Sequence, residues 1–163
     1  PAAVIEIKKD KQGNYWAWEK LYKRGMTDSA VCDYVATLPW NECYPDPESA
    51  SACKELEDRN VNIREVNKGK DSIKNGISVV RELFKANRLF IHKEALSLIE
   101  ELESYHHPDK RDGKNDDENP VKEDDHAMDA LRYPLMMESK ISYSNDRKVH
   151  VYKPKYTGFN KRG

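Results

Sequence analysis

Several features that identify whole classes of protein are missing from this sequence of 163 residues. No apolar run approaches the ~18 residues that a membrane span needs, so we expect no membrane association. Cysteine is scarce: Cys32, Cys43 and Cys53 are too few for a disulfide framework, and their spacing does not match paired CxxC zinc motifs. The amino terminus carries no signal-peptide pattern, so we expect a protein that is not secreted.

Two further absences limit the function. No GxxxxGK[ST] loop is present, so the sequence lacks the phosphate-binding motif of an ATPase. Neither positive nor negative charge predominates, because the 28 basic and 29 acidic residues leave a net charge of −1. This balance excludes a globally basic nucleic-acid binder.

The charges are nevertheless unevenly distributed along the chain. Residues 106–125 are rich in Asp and Glu and nearly free of apolar residues, which predicts an exposed loop. Basic residues predominate after Lys140. The length fits a single domain, and we predict one over residues 1–140, followed by a basic tail over residues 141–163.

Alternating apolar residues predict an antiparallel hairpin from residues 3–9 and 15–22. Strands and helices then alternate, with strands at 42–44, 61–66 and 89–92 and helices at 29–37, 48–58, 72–86 and 94–105. A further helix begins near His126, and Pro134 is expected to kink or end it. This order predicts an α/β fold, a mixed sheet flanked by helices.

The start of the late helix is the first candidate site. His126 and Asp129 are three residues apart, so a helix places the imidazole and the carboxylate on one face, where they can hold a divalent cation. Asp124 and Asp125 precede them. The alternative interpretation is a solvated first turn capped by one of these two acids, and the spacing alone does not decide between the two.

Asp46 is the second candidate. It follows a short predicted strand and lies between two prolines. Such a position suits a functional carboxylate, but the residue types alone favour a Pro-Asp-Pro turn in which Asp46 caps the next helix. Two carboxylates and an imidazole are the ligands that Mg²⁺ and Mn²⁺ sites use.

Two other patterns have a functional and a structural interpretation. Lys68 and Lys70 flank a glycine before the predicted helix at Ser72, which suits a phosphate contact but equally a solvated turn. Trp16 and Trp18 share one face of the hairpin, where we expect core packing rather than base stacking.

The segment from Asp125 to Tyr133, DHAMDALRY, resembles the closing motif of the nuclease domain in the large terminase subunit of tailed bacteriophages, the motor that packages DNA. The preceding order agrees: Tyr44-Pro-Asp46-Pro-Glu48, the stretch from Val66 to Ile77, the strand at Leu89, and Leu98 to Tyr105. The resemblance covers Pro1 to Tyr133 and implies a ribonuclease H-like fold.

The resemblance also implies roles for individual residues. Asp46 matches the family's second acidic ligand, and His126 and Asp129 match its late ligands, so the family's mechanism implies two Mg²⁺ or Mn²⁺ ions bridged by Asp46, with Asp125 orienting His126 from the outer sphere. The family's first catalytic Asp lies on an opening strand upstream of a stretch like Pro1–Ile7, so we expect a truncated first strand, an incomplete site and a weakly active or inactive fragment.

The implied function is cleavage of concatemeric double-stranded DNA in the cytoplasm of a bacterial host during phage assembly. The implied partners are DNA, a small terminase subunit, the portal protein and the ATPase domain of the same full-length chain. Two alternatives remain: a non-catalytic module that docks on portal or DNA, and another ribonuclease H-like nuclease such as a resolvase.

Overall fold

The computed structural model describes residues 1–39, 41–66, 69, 71–104 and 125–146. Within these ranges the strands are β1 (Ala2–Lys9), β2 (Tyr15–Lys23) and β3 (Leu89–Ile91). The helices are α1 (Asp28–Ala36), α2 (Ala50–Asp58), α3 (Ser72–Lys85), α4 (Leu96–Ser104) and α5 (His126–Asp146). None of the described helices combines the length and the apolar composition that crossing a membrane requires.

The described strands form one sheet in the order β1-β2-β3, with an antiparallel pair followed by a parallel one. The hairpin turn is fixed by Asp10, whose Oδ1 accepts hydrogen bonds from the backbone N–H groups of Gln12 at 2.9 Å and Asn14 at 2.8 Å. Gly13 adopts φ +84°, a conformation that favours glycine, in the same turn. The sequence prediction of a mixed sheet flanked by helices is confirmed.

A shift of register in β2 decides which of its side chains face the helices. Ile5 pairs with Glu19 and Val4 with Leu21, so Lys20 is an extra residue in the ladder. Because side chains alternate along a strand, Glu19 and Tyr22 would otherwise lie on opposite faces. The bulge turns both toward α4.

Side-chain carboxylates then fix the starts of two helices. Glu19 accepts hydrogen bonds from the Leu98 N–H at 2.9 Å and the Ser97 hydroxyl at 3.1 Å, in the first turn of α4. Glu101 of α4 accepts from the Met128 N–H of α5 and from the Tyr22 hydroxyl of β2, both at 2.8 Å. These bonds satisfy N–H groups that a helix leaves unpaired at its amino terminus.

The apolar residues of the described chain form three clusters. The largest fills the space between the sheet and α3, α4 and α5; its buried members are Tyr15, Ala17, Val80, Leu89, Ala95, Leu98, Ala127, Met128, Leu131 and Leu135. A second cluster joins α1 and α2, and a third contains Val66, Tyr133 and Met136. Helix α5 therefore contributes to two of the three clusters.

Some predicted elements differ from the structure. The strands expected at 42–44 and 61–66 reduce to a single bridge between Cys43 and Ile63, since Pro45 and Pro47 remove the next backbone donors. Pro134 does not end α5, which continues to Asp146 across the predicted domain boundary at residue 140. The boundary itself stays a prediction, because residues 147–163 and most of the predicted loop 106–125 lie outside the described residues.

The two tryptophans lie on the outer face of the sheet, away from α3, α4 and α5. Trp16 is 42% exposed and stacks on Phe90 with ring centroids 4.5 Å apart, while Trp18 lies beneath the Lys8 ammonium. The expectation of core packing is wrong for Trp16, because the register places Tyr15 and Ala17 on the inner face instead.

Replacing Glu101 with alanine is expected to destabilise the protein. The Met128 N–H loses its acceptor in a buried position, and an unsatisfied buried donor costs about 1–3 kcal/mol. Chemical denaturation measures the free energy of unfolding, and Glu103→Ala, an exposed acid of the same helix, is the control and should change it by less than about 0.5 kcal/mol. Equal effects of the two substitutions would contradict the role of Glu101.

Candidate active site

One cavity of about 430 Å³ is lined by all three predicted ligands, Asp46, His126 and Asp129. Its walls come from five parts of the fold: residues 1–5 and Ile7 of the amino-terminal segment and β1, one side of α1, residues 42–46 and Ser49, one side of α2, and the first turns of α5. Asp28 and Glu42 also line it. The chain therefore gathers four carboxylates and one imidazole around a single space.

His126 and Asp129 reach the cavity from successive turns of α5. Ala130, Tyr133 and Pro134 line it from the same side, which confirms that this helix turns one face toward the cavity. Glu101 holds the amino terminus of α5 through the Met128 N–H, so the position of the whole face is set from α4. Pro134 has no N–H to donate to the Ala130 carbonyl one turn earlier.

The Asp129 carboxylate is held on both oxygens. Its Oδ1 accepts from the Arg132 guanidinium, and its Oδ2 accepts from the Tyr133 hydroxyl at 3.0 Å. The Arg132 side chain is only 3% exposed, against 28% for Asp129. Asp129 is therefore the counter-charge of a buried cation as well as a cavity-lining carboxylate.

Asp46 lies across the cavity on an exposed turn. Its Oδ1 accepts from the Glu48 N–H at 3.0 Å, and its carbonyl accepts from the Ser49 N–H at 3.0 Å. These hydrogen bonds are the ones expected of a Pro-Asp-Pro turn. Their donors, Glu48 and Ser49, precede the first residue of α2, so Asp46 does not cap that helix. A carboxylate has a second oxygen, so the turn and a role in the cavity are compatible.

The donor set suits a hard divalent cation, since carboxylate oxygens and an imidazole are ligands for Mg²⁺ and Mn²⁺. The described residues do not, however, include any group of three or more His, Cys, Asp or Glu side chains placed to hold a metal ion. The residue types are therefore those that bind a divalent metal ion, but the described residues do not bring three of them together as ligands.

Thiol chemistry is not favoured in this cavity. Cys32 and Cys43 line it, but burial raises the pKa of the Cys43 thiol to about 11 and also raises the pKa of Cys32. Both are protonated near neutral pH, and the thiolate is the form that attacks or binds metal. The carboxylates and His126 remain the groups suited to chemistry here.

The other predicted site residues are only partly placed. Asp125 immediately precedes α5, and its carbonyl accepts from the Asp129 N–H at 2.8 Å; its role toward His126 stays a prediction. Lys68 and Lys70 lie outside the described residues. Sequence reasoning missed Arg132 and Tyr133 as partners of Asp129, although their positions three and four residues later on a helix place them beside it.

A family model described as terminase RNAseH like domain matches residues 1–136, whereas no curated protein matches the chain. The nuclease domain of the P22 large terminase is 20% identical, with a TM-score of 0.61, over 83% of this chain and 73% of that one. The large terminase of the thermophilic bacteriophage D6E is 17% identical, with a TM-score of 0.60, over 83% of this chain and 39% of that one.

At these identities the two structures establish the fold alone, and the ribonuclease H-like prediction is confirmed. The share of the D6E terminase covered, 39%, means that the chain spans less than half the length of that protein.

Asp129→Asn is expected to lower stability even without metal. The substitution leaves the buried Arg132 charge without its partner, and hydrogen bonds to charged groups contribute about 1.5–3 kcal/mol. Urea denaturation in EDTA measures the effect, with His126→Asn, an exposed neighbour on the same turn, as the control. Unchanged stability of Asp129→Asn would show that the Arg132 charge is balanced elsewhere.

Proposed function

The chain belongs to the family of terminase RNase H-like domains, and from that premise we propose that it is the metal-dependent endonuclease domain of a phage DNA-packaging terminase. The observation that carries the proposal is the single cavity lined by Asp46, His126 and Asp129. These are the positions at which the sequence resembles the family's acidic and histidine ligands.

The reaction is hydrolysis of a phosphodiester bond in double-stranded DNA. Two bound Mg²⁺ or Mn²⁺ ions would supply an activated water and stabilise the leaving oxygen. Asp46, His126 and Asp129 would hold these ions, and Asp125 would orient His126. The residues' own contribution is to collect negative charge in one cavity, which disfavours phosphate binding until cations neutralise it.

Full activity is proposed to need one further acidic ligand. The described residues lack a group of three ligands able to hold a metal ion, and the family resemblance assigns its first acid to a strand upstream of a stretch like Pro1–Ile7. A further carboxylate close to residues 1–5, which line the cavity, would complete such a group.

The proposed substrate is concatemeric double-stranded DNA, cut in the host cytoplasm during phage assembly. The small terminase subunit, the portal protein and an ATPase domain in the same full-length chain are the proposed partners. Phosphate contacts by Lys68 and Lys70 belong to the same proposal. The family match favours a terminase nuclease over a resolvase.

A non-catalytic docking module is the second candidate. The lack of a three-ligand group among the described side chains favours it. In that case the cavity carboxylates would serve stability, as Asp129 does toward Arg132, and the chain would bind portal or DNA without cutting.

Supercoiled-plasmid cleavage distinguishes these candidates. The assay compares Mn²⁺, Mg²⁺ and EDTA on this chain and on a chimera extended at its amino terminus by the opening strand of a terminase nuclease domain. We expect metal-dependent nicking and linearisation by the chimera, and a loss of at least about a hundredfold in Asp46→Asn and His126→Ala.

Glu48→Gln is the matched control for Asp46→Asn, because it is an exposed acid on the same turn and does not line the cavity. It should cleave like the parent. A folded chimera that fails to cut with either metal would favour the docking module, and cleavage that survives both substitutions would contradict the assigned ligands.

The basic tail gives a separate prediction. Deletion of residues 147–163 removes six Lys and Arg side chains, so binding to DNA is expected to weaken and to depend less on salt. Fluorescence anisotropy with a labelled duplex at 50 and 200 mM salt, together with a pull-down on portal protein, measures this. Unchanged binding to both would mean that the tail is not a binding element.

A further inference from the structure

Arg132 is the most deeply buried charged side chain beside the cavity, and its path depends on a glycine. A Cβ atom built on Gly76 of α3 would lie 2.5 Å from Arg132 Cδ and closer still to Cγ. Contacts this short do not occur between real atoms, and the stem of Arg132 is enclosed, so it has little room to move. The side chain of Arg132 therefore packs against α3 at Gly76, in space that a Cβ atom of any other residue would occupy.

The guanidinium of Arg132 joins two parts of the fold. Its Nη1 donates to the Ser72 carbonyl at 3.3 Å, and its Nη2 donates to Asp129 Oδ1. The same group lies over the Tyr133 ring, 4.9 Å from the centroid. One buried cation thus links the first residue of α3 to a carboxylate of the cavity.

The third nitrogen, Nε, indicates that the Ser72 carbonyl and the Asp129 carboxylate set the position of the guanidinium group. Arg132 Nε is buried and has no hydrogen-bond partner among the described residues. An unsatisfied buried donor is costly, so the orientation does not maximise the bonds of arginine itself. A lysine would not reproduce this arrangement, because its donors share one nitrogen, whereas the two terminal nitrogens of the planar guanidinium reach acceptors on two different helices.

We propose that Arg132 is a positioning residue that fixes the Asp129 carboxylate relative to the start of α3, and that Gly76 is the space this arrangement requires. The inference rests on the proposed function, in which Asp129 holds a metal ion.

The test separates positioning from simple stability. The parent chain, Gly76→Ala and Arg132→Lys are compared, with Gly69→Ala as control, because a Cβ on Gly69 meets nothing within 4 Å. Two properties are measured on protein that circular dichroism shows to be folded: the ¹⁵N NMR signals of the Arg132 guanidinium, and Mn²⁺ affinity by calorimetry.

We expect slowly exchanging guanidinium signals in the parent and in Gly69→Ala, and their loss in Gly76→Ala. Mn²⁺ affinity should fall at least about tenfold in Gly76→Ala and in Arg132→Lys, the range found when a residue that orients a metal ligand is removed. Arg132→Lys keeps the positive charge, so it remains informative if Gly76→Ala does not fold.

Two results would overturn the inference: guanidinium signals in Gly76→Ala that match the parent, or unchanged Mn²⁺ affinity in both variants while the parent binds Mn²⁺. Failure of the proposed function looks different. In that case the parent chain and the amino-terminally extended chimera would both take up no Mn²⁺, and the guanidinium signals alone would decide whether Arg132 and Gly76 form the link.

Discussion

The Glu101 carboxylate is the interaction on which the arrangement of the cavity depends. It accepts one hydrogen bond from the sheet, through Tyr22, and one from the start of α5, through the Met128 N–H. Burial raises the pKa of Glu101, although these hydrogen bonds act in the opposite direction. The hydrogen bonds that offset part of the cost of burying this carboxyl group also orient the helix that carries His126 and Asp129.

Asp129 contributes to the stability of the fold and also lines the candidate site. The buried Arg132 cation needs a counter-charge, and Asp129 supplies it while lining the cavity. A carboxylate restrained on both oxygens loses little further freedom when it binds an ion, which favours a preorganised ligand. The same restraint couples Asp129 to folding, so a substitution there is expected to lower stability and, in the proposed function, to weaken metal binding.

Much of the fold could be predicted from the sequence, because the hairpin and the helices follow local periodicity. The bridge at Cys43 and Ile63 could not, since a strand is defined by its neighbours and local pattern cannot reveal where pairing stops. The candidate ligands could be found from residue type and spacing. The residues that position them were harder to predict: Glu101 lies on the apolar stripe of α4, and the groups that donate hydrogen bonds to it come from β2 and α5, far away in sequence.

The extra residue Lys20 in β2 determines which side chains of this strand face the helices. Glu19 and Tyr22 reach the helices together only because one residue is added between them. Many substitutions at positions 20 and 21 preserve that parity, but loss of a single residue there would turn either Glu19 or Tyr22 outward. The first turn of α4 would lose its acceptor, or Glu101 would lose its contact with the sheet. Over this stretch an insertion or deletion of one residue is therefore expected to disturb the fold more than a substitution of one side chain does.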